Sequence, residues 1–176
     1  MKSIQHGDRP KVSVKDLVEQ AKDLSKRAQA GAPTPATKVS DELLEMMNQA
    51  ISMEIQVSIQ YMWQHVTWSG IKGYAFHAAL KDIAIEEMKH AEAIAERLWY
   101  LGETPSTEPT PIYVGEGLRD MLQQNDKDER ATIELYKRII RQAMEEQDET
   151  TAQLFREILV DEEEHHDSFI SVLEAI

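Results

Sequence analysis

Apolar residues recur at intervals of three and four along most of the chain, which is the period of an amphipathic α-helix. This spacing predicts four long helices, at residues 41–69, 75–101, 117–147 and 149–176. Ser40 precedes the first as a candidate N-cap, and Gly70 and Gly73 are expected to end it. Gly102 is expected to end the second. A shorter stretch with the same spacing, residues 12–28, predicts a short N-terminal helix.

The connections between the long helices differ in length. Only a few residues separate the first helix from the second and the third from the fourth, whereas residues 103–114, rich in Pro and Thr, separate the second from the third. Short connections join antiparallel neighbours, and a long one is needed to cross a bundle. The expected fold class is therefore all-α, an antiparallel four-helix bundle of two hairpins joined by a long crossover.

Charge is distributed unevenly along the chain. The net charge is −13, yet residues 1–38 carry eight Lys/Arg against four Asp/Glu. The composition of the stretch Gly31-Ala-Pro-Thr-Pro-Ala-Thr predicts a stiff linker. We therefore expect a basic N-terminal arm with a short helix and a Pro linker at 1–39, and the bundle at 40–176. The acidic body should attract cations and repel nucleic acid. Because acidic residues alternate with the basic ones in the arm, we expect the arm to pack between subunits and not to bind DNA.

The composition narrows the chemistry. Cysteine is absent, so thiolate metal sites and thiol catalysis are excluded, and a metal would be held by oxygen and imidazole nitrogen. No apolar run is long enough to span a membrane, and the N-terminus has no apolar signal core. We expect a cytoplasmic protein without membrane contact.

Each long helix carries one carboxylate on its apolar stripe, and a packed core tolerates such a charge only when it is compensated. These carboxylates are Glu54, Glu87, Glu129 and Glu162. His90 and His165 follow the second and the fourth of them by three residues. Residues at i and i+3 share a helix face, so each Glu-x-x-His can present a carboxylate and an imidazole to one ion.

The spacing of these residues repeats. The two glutamates of each hairpin are 33 residues apart, and a tyrosine follows the first glutamate of each hairpin by seven residues, at Tyr61 and Tyr136. Two such hairpins packed about a pseudo-twofold axis would bring four Glu and two His around two cations. Hard carboxylates with imidazoles suit iron or manganese and leave coordination positions open for oxygen or peroxide.

The last helix offers a second Glu-x-x-His. Asp161-Glu-Glu-Glu-His-His contains Glu163 and His166 at the same spacing. The 33-residue repeat and the apolar phase favour Glu162 and His165, and the sequence leaves the other register open.

Glu87-Met-Lys-His-Ala and Asp161-Glu-Glu-Glu-His-His-Asp resemble the two Glu-x-x-His segments of the bacterioferritins, and the resemblance extends over about residues 43–170. It implies a ferritin-like bundle with two Fe per subunit. Such a protein has ferroxidase activity: it oxidises Fe(II) with O2 or H2O2 and stores ferric mineral in a multi-subunit shell.

The resemblance also assigns roles to residues. It makes the four stripe glutamates the metal carboxylates, with Glu87 and Glu162 bridging, and it makes His90 and His165 the terminal imidazoles. Tyr61 matches the tyrosine beside the centre, which supports a bridging carboxylate and is a candidate electron donor. Met88 matches the methionine that binds haem between two bacterioferritin subunits. The alternative for Met88 is an apolar dimer contact.

Two departures from the family bear on assembly. Bacterioferritins carry a short fifth helix, whereas this chain ends at Ile176, and they lack the N-terminal arm. We therefore expect a homo-oligomeric shell of twelve subunits, as in the Dps proteins, rather than 24. Its partners would be iron, O2 or H2O2, with a ferredoxin-type protein as a candidate reductant.

Two alternative functions fit the same sequence. A rubrerythrin-like peroxide reductase or a manganese catalase would use the same ligands without storing mineral. A Dps-type DNA-protecting protein would act through the basic arm.

Overall fold

The computed structural model describes residues 38–68 and 71–176, together with Lys15, Glu19 and Lys22. The chain divides after Thr34 into two units. The second unit contains four helices: α1 (Asp41–Thr67), α2 (Ile71–Tyr100), α3 (Leu118–Glu145) and α4 (Glu149–Glu174). Within the described ranges there is no strand, which confirms the all-α class. The short helix predicted at residues 12–28 lies outside the described residues, apart from those three isolated positions.

The first helix begins where the N-cap was predicted. The Ser40 hydroxyl accepts a hydrogen bond from the backbone N–H of Leu43 at 3.2 Å. Glu146, in the turn between α3 and α4, accepts hydrogen bonds from the Ser40 N–H at 2.7 Å and from its hydroxyl at 2.5 Å. A carboxylate at this end also interacts favourably with the positive end of the helix dipole. The start of α1 is thereby tied to the second hairpin.

The expected helix end at Gly73 is wrong. Gly73 lies in the first turn of α2, which begins at Ile71, four residues earlier than predicted. The first turn of a helix leaves its N–H groups without intrahelical partners in any case, so a glycine there disturbs little. The long crossover is as expected, because residues 103–114 contain neither helix nor strand.

The core forms two apolar clusters at opposite ends of the bundle. One contains residues 43–51 of α1, 94–101 at and just beyond the end of α2, 135–143 of α3 and 152–158 of α4. The other contains residues 57–61 of α1, 76–84 of α2, Leu122 and Phe169. On every helix, the stripe carboxylate falls between its segment of one cluster and its segment of the other. The fold thus places a single polar layer between two apolar ones.

A row of buried amides holds the crossover against the bundle. Gln60 and Gln64 on α1 both donate to the Asn125 side chain of α3, at 3.2 and 2.9 Å. Gln64 also donates to the Val114 carbonyl at 3.1 Å, and Gln60 accepts from the Tyr113 N–H at 3.1 Å. These bonds fix the register of α1 against α3, and this register brings the candidate ligands Glu54 and Glu129 to the same level of the bundle.

Replacing Gln147 with glycine is expected to raise the free energy of unfolding by about 0.5–1 kcal/mol. Gln147 follows α3 with φ 61°, a left-handed conformation that costs an L-residue roughly 1–2 kcal/mol. The extra freedom of glycine in the unfolded chain offsets about 0.4–1 kcal/mol of that gain. The urea midpoint at fixed protein concentration measures the change.

The matched control is Gly102→Ala. Gly102 ends α2 with φ 92°, and its N–H bonds the Trp99 carbonyl just as the Gln147 N–H bonds that of Met144. The alanine variant is expected to lower the midpoint. A lower midpoint for Gln147→Gly would contradict the strain assigned to that turn.

Candidate metal centre

The polar layer brings the six predicted ligand residues together. Two groups each have one ligand atom per residue within 4.8 Å of one another. The first group is Glu54, Glu87, His90 and Glu162, and the second is Glu87, Glu129, Glu162 and His165. All six residues are buried. Glu87 and Glu162 belong to both groups, so a pair of ions in this layer would share them.

Both imidazoles point the same nitrogen inward. His90 Nδ1 lies 2.9 Å from a Glu162 oxygen and 3.1 Å from a Glu87 oxygen. His165 Nδ1 lies 3.0 Å from the other Glu87 oxygen. Their Nε2 atoms point outward, to Asp161 at 3.3 Å and Glu86 at 3.1 Å. A ligand imidazole is commonly held in this way, with its second nitrogen on a carboxylate.

The two tyrosines cross between the hairpins. The Tyr61 hydroxyl donates to Glu129 at 2.5 Å, and the Tyr136 hydroxyl donates to Glu54. Each tyrosine thus holds a carboxylate of the hairpin to which it does not belong. Glu129 and Glu54 each belong to only one ligand group. The resemblance implied that Tyr61 contacts a carboxylate shared by both ions, whereas in this structure its partner is Glu129. Which carboxylate each tyrosine reaches is determined by the register of α1 against α3.

Several buried atoms of this layer have no partner in hydrogen-bond geometry, even where an imidazole nitrogen and a carboxylate oxygen lie about 3 Å apart. They are Glu54 Oε2, Glu87 Oε1, both carboxylate oxygens of Glu162, and His165 Nδ1. Buried polar atoms are normally paired, because an unpaired one carries its full desolvation cost. All five are possible ligand atoms and all belong to the two groups. The donor set, four carboxylates and two imidazoles, therefore fits a pair of divalent cations.

The charges of the layer are strongly perturbed. Burial, with the neighbouring Glu87 charge, raises the pKa of Glu54 well above 4.5 and that of Glu129 to about 8. Burial and the other carboxylates also raise the pKa of Glu162. Burial opposes ionisation of Glu87 too, but the imidazoles of His165 and His90, at 3.0 and 3.1 Å from its oxygens, outweigh burial and lower its pKa to about 2. Burial lowers the pKa of His165, but Glu87 and Glu129 outweigh it and raise it to about 9. Without cations the layer retains protons that cations would displace.

The metal-free protein is expected to lose stability as the pH rises from about 5 to 9. Glu129, with a folded pKa of about 8, and His165, with one of about 9, both hold protons that the unfolded chain releases nearer their ordinary values of 4.5 and 6.5. Stability from a raised pKa is lost as the pH climbs through the folded value. The lowered pKa of Glu87 acts in the opposite direction, but only below about 4.5. Urea midpoints at pH 5, 7 and 9 after chelation measure this.

The Glu129→Gln variant is the control for that pH series. It removes one of the groups that retain a proton, so its midpoints should fall less between pH 5 and 9 than those of the original protein. A midpoint that rises from pH 5 to 9 in the original protein would contradict the perturbed charges.

The remaining predicted residues lie away from the layer. Glu163 is exposed and pairs with Lys137 at 3.5 Å, and His166 contacts Asp126 at 2.9 Å. The geometry therefore favours the Glu162 and His165 register. Met88 is 57% exposed on α2.

None of the helices in the described part of the chain is long and apolar enough to cross a membrane.

The chain is similar to a known protein family and to proteins of known sequence. The ferritin-like domain family matches residues 44–176. Bacterioferritin of Desulfovibrio desulfuricans is 34% identical over 125 residues, which cover 70% of this chain and 70% of that protein. Bacterioferritin of Mycolicibacterium paratuberculosis is 31% identical over 137 residues, covering 76% and 84%.

Solved structures agree. The X-ray structure of the Desulfovibrio desulfuricans bacterioferritin, which concerns its diiron site in different catalytic states, gives a TM-score of 0.71 at 32% identity, covering 76% of this chain and 78% of that one. A ferritin-like, diiron-carboxylate protein from Bacillus anthracis gives a TM-score of 0.73 at 27% identity, covering 75% and 95%. The chain therefore belongs to the ferritin-like family and, within it, to the bacterioferritins.

Proposed function

We propose that this chain is the subunit of an iron-storage protein with ferroxidase activity. The observation that carries the proposal is the pair of overlapping ligand groups that share Glu87 and Glu162. Glu54 with His90 would complete one cation site, and Glu129 with His165 the other. Four carboxylates balance the charge of two divalent cations, which makes their burial together acceptable.

Iron would enter this centre as Fe(II), the substrate. When bound, two Fe(II) ions supply two electrons, which with two protons reduce one H2O2 to two water molecules or one O2 to H2O2. The chain's own residues hold the pair in place: Tyr61 and Tyr136 orient the terminal carboxylates through hydrogen bonds to Glu129 and Glu54. The two apolar clusters on either side of the layer exclude bulk water.

The experiment is an anaerobic Fe(II) titration of chelator-treated native protein, followed by pulses of O2 or H2O2. We expect the first two Fe(II) per chain to be oxidised rapidly, and further iron to remain with the particle as ferric mineral. Sustained peroxide consumption without retained iron would instead indicate a peroxide reductase or manganese catalase. Rapid oxidation of no Fe(II) at all would contradict the ferroxidase proposal.

We also propose a homo-oligomeric shell. The twelve subunits expected from the sequence, rather than 24, are tested by the particle mass of the native protein. The cytoplasmic location and the ferredoxin-type reductant stay predictions. So does the role of the basic arm, and retention of DNA that depends on residues 1–38 would support the Dps-type alternative.

Replacing Met88 with leucine is expected to remove haem binding while leaving assembly and Fe(II) oxidation unchanged. The Met88 side chain is 57% exposed, and the exposed apolar residues Ile59, Met62 and Trp63 lie on the neighbouring helix α1. An exposed thioether, with exposed apolar residues on the neighbouring helix, suits a flat haem held between two subunits, and leucine keeps the apolar volume without the sulfur. The Soret absorbance after haem titration measures the change.

Met62→Leu is the matched control, because Met62 is another exposed methionine, 37% accessible on α1. It should keep the Soret band. Equal Soret intensities in the two variants would show that Met88 is only an apolar surface residue.

A further inference from the structure

The outward nitrogens of the two ligand imidazoles are held by carboxylates that lie outside both ligand groups. His165 Nε2 is 3.1 Å from Glu86, and His90 Nε2 is 3.3 Å from Asp161. Glu86 immediately precedes Glu87, and Asp161 immediately precedes Glu162. Each contact also crosses from one hairpin to the other, so the two carboxylates occupy equivalent places in the internal repeat.

These carboxylates bear on the tautomer of each imidazole. A cation in the layer needs the lone pair of Nδ1, so the proton must reside on Nε2. The carboxylates of the layer favour the opposite tautomer, since they can accept a proton on Nδ1 at 2.9–3.1 Å. A carboxylate at Nε2 opposes that preference, and such a partner also makes the imidazole a more basic ligand.

We propose that Glu86 and Asp161 are positioning residues, each acting through one imidazole on one of the two cation sites. Glu86 acts through His165 on the group completed by Glu129, and Asp161 acts through His90 on the group completed by Glu54. The inference rests on the proposed two-cation centre and deepens it. Both side chains are about half exposed, at 50% and 54%, so their role is separable from core packing.

The test uses Co(II) as a spectroscopic probe in chains reduced to one site. Glu129→Gln leaves the group of His90, and Glu54→Gln leaves the group of His165. With Glu129→Gln, adding Asp161→Asn should weaken Co(II) binding about 10–100-fold and change the visible Co(II) spectrum, whereas Glu86→Gln should change the affinity less than about threefold. With Glu54→Gln, the two effects should be exchanged.

Controls separate a positioning role from a general change in charge. Glu92→Gln on α2 and Asp167→Asn on α4 remove exposed carboxylates that do not contact either imidazole. They should leave the Co(II) affinity of both sites within about threefold of its original value. Asp161→Glu keeps a carboxylate and should restore binding, which a loss of fold would not allow. Thermal unfolding of the metal-free variants provides the check on folding.

The outcomes distinguish this inference from the proposed function. If the original protein fails to bind two Co(II) per chain, both the two-cation centre and the positioning role are overturned. If it binds two but Asp161→Asn and Glu86→Gln act alike on both sites, or on neither, the positioning role alone is overturned.

Discussion

Replacing Glu162 with glutamine is expected to leave less than one tightly bound cation per chain and to slow Fe(II) oxidation by at least about 100-fold. Glu162 belongs to both ligand groups, so its loss removes an oxygen ligand from two sites at once. Even an outer partner of a metal ligand commonly contributes 10–100-fold to affinity or activity, and Glu162 is a direct candidate. Anaerobic Fe(II) binding and the initial rate after an O2 pulse measure the two effects.

Variants of the terminal carboxylates give the comparison that makes this result specific. Glu54→Gln or Glu129→Gln should each remove one cation and keep the other, because each residue belongs to a single group. Glu163→Gln changes the adjacent exposed carboxylate and should behave as the original protein. Loss of both cations in Glu163→Gln, with Glu162→Gln unaffected, would overturn the chosen register.

The sequence singles out the six candidate ligand residues because a charged residue on an apolar helix stripe is unusual. Glu54 and Glu129 interrupt otherwise regular helical patterns, and the i, i+3 histidines mark the other two helices. The family comparisons and the bundle confirm the fold class inferred from the two hairpins and the long crossover. Both predictions, of the candidate ligands and of the fold class, used only the periodicity along the chain and the lengths of the connections, and required no knowledge of contacts between helices.

Contacts between helices of different hairpins could not be predicted from the sequence. The partner of Tyr61 is Glu129 on another hairpin, and seven-residue spacing within a hairpin cannot reveal a contact between hairpins. The relation of Glu86 and Asp161 to the imidazoles follows only from the packing of α2 against α4. The one available indication was positional: both precede a Glu-x-x-His glutamate in the repeat.

Replacing Arg97 with methionine is expected to lower the free energy of unfolding by about 3 kcal/mol, the lower end of the usual range for breaking a buried ion pair. The Arg97 guanidinium bonds Asp148 at 2.6 Å and the Thr151 hydroxyl at 2.9 Å. Asp148 is only 2% exposed and caps the N-terminus of α4. Without Arg97 its charge stays buried with only the hydrogen bonds from Thr151. Urea unfolding at fixed protein concentration measures the loss.

The surface pair Arg130 and Asp126 provides the matched control. Its distance is 2.8 Å, close to that of the buried pair, but the Arg130 side chain is 62% exposed, so Arg130→Met should cost under about 1 kcal/mol. Adding Asp148→Asn to Arg97→Met removes the stranded charge and keeps a side chain that can cap the helix, so it should recover part of the loss. Equal costs for the two arginine variants would mean that burial of Asp148 contributes nothing. In that case, the junction between the end of α2 and the start of α4 would depend on packing alone.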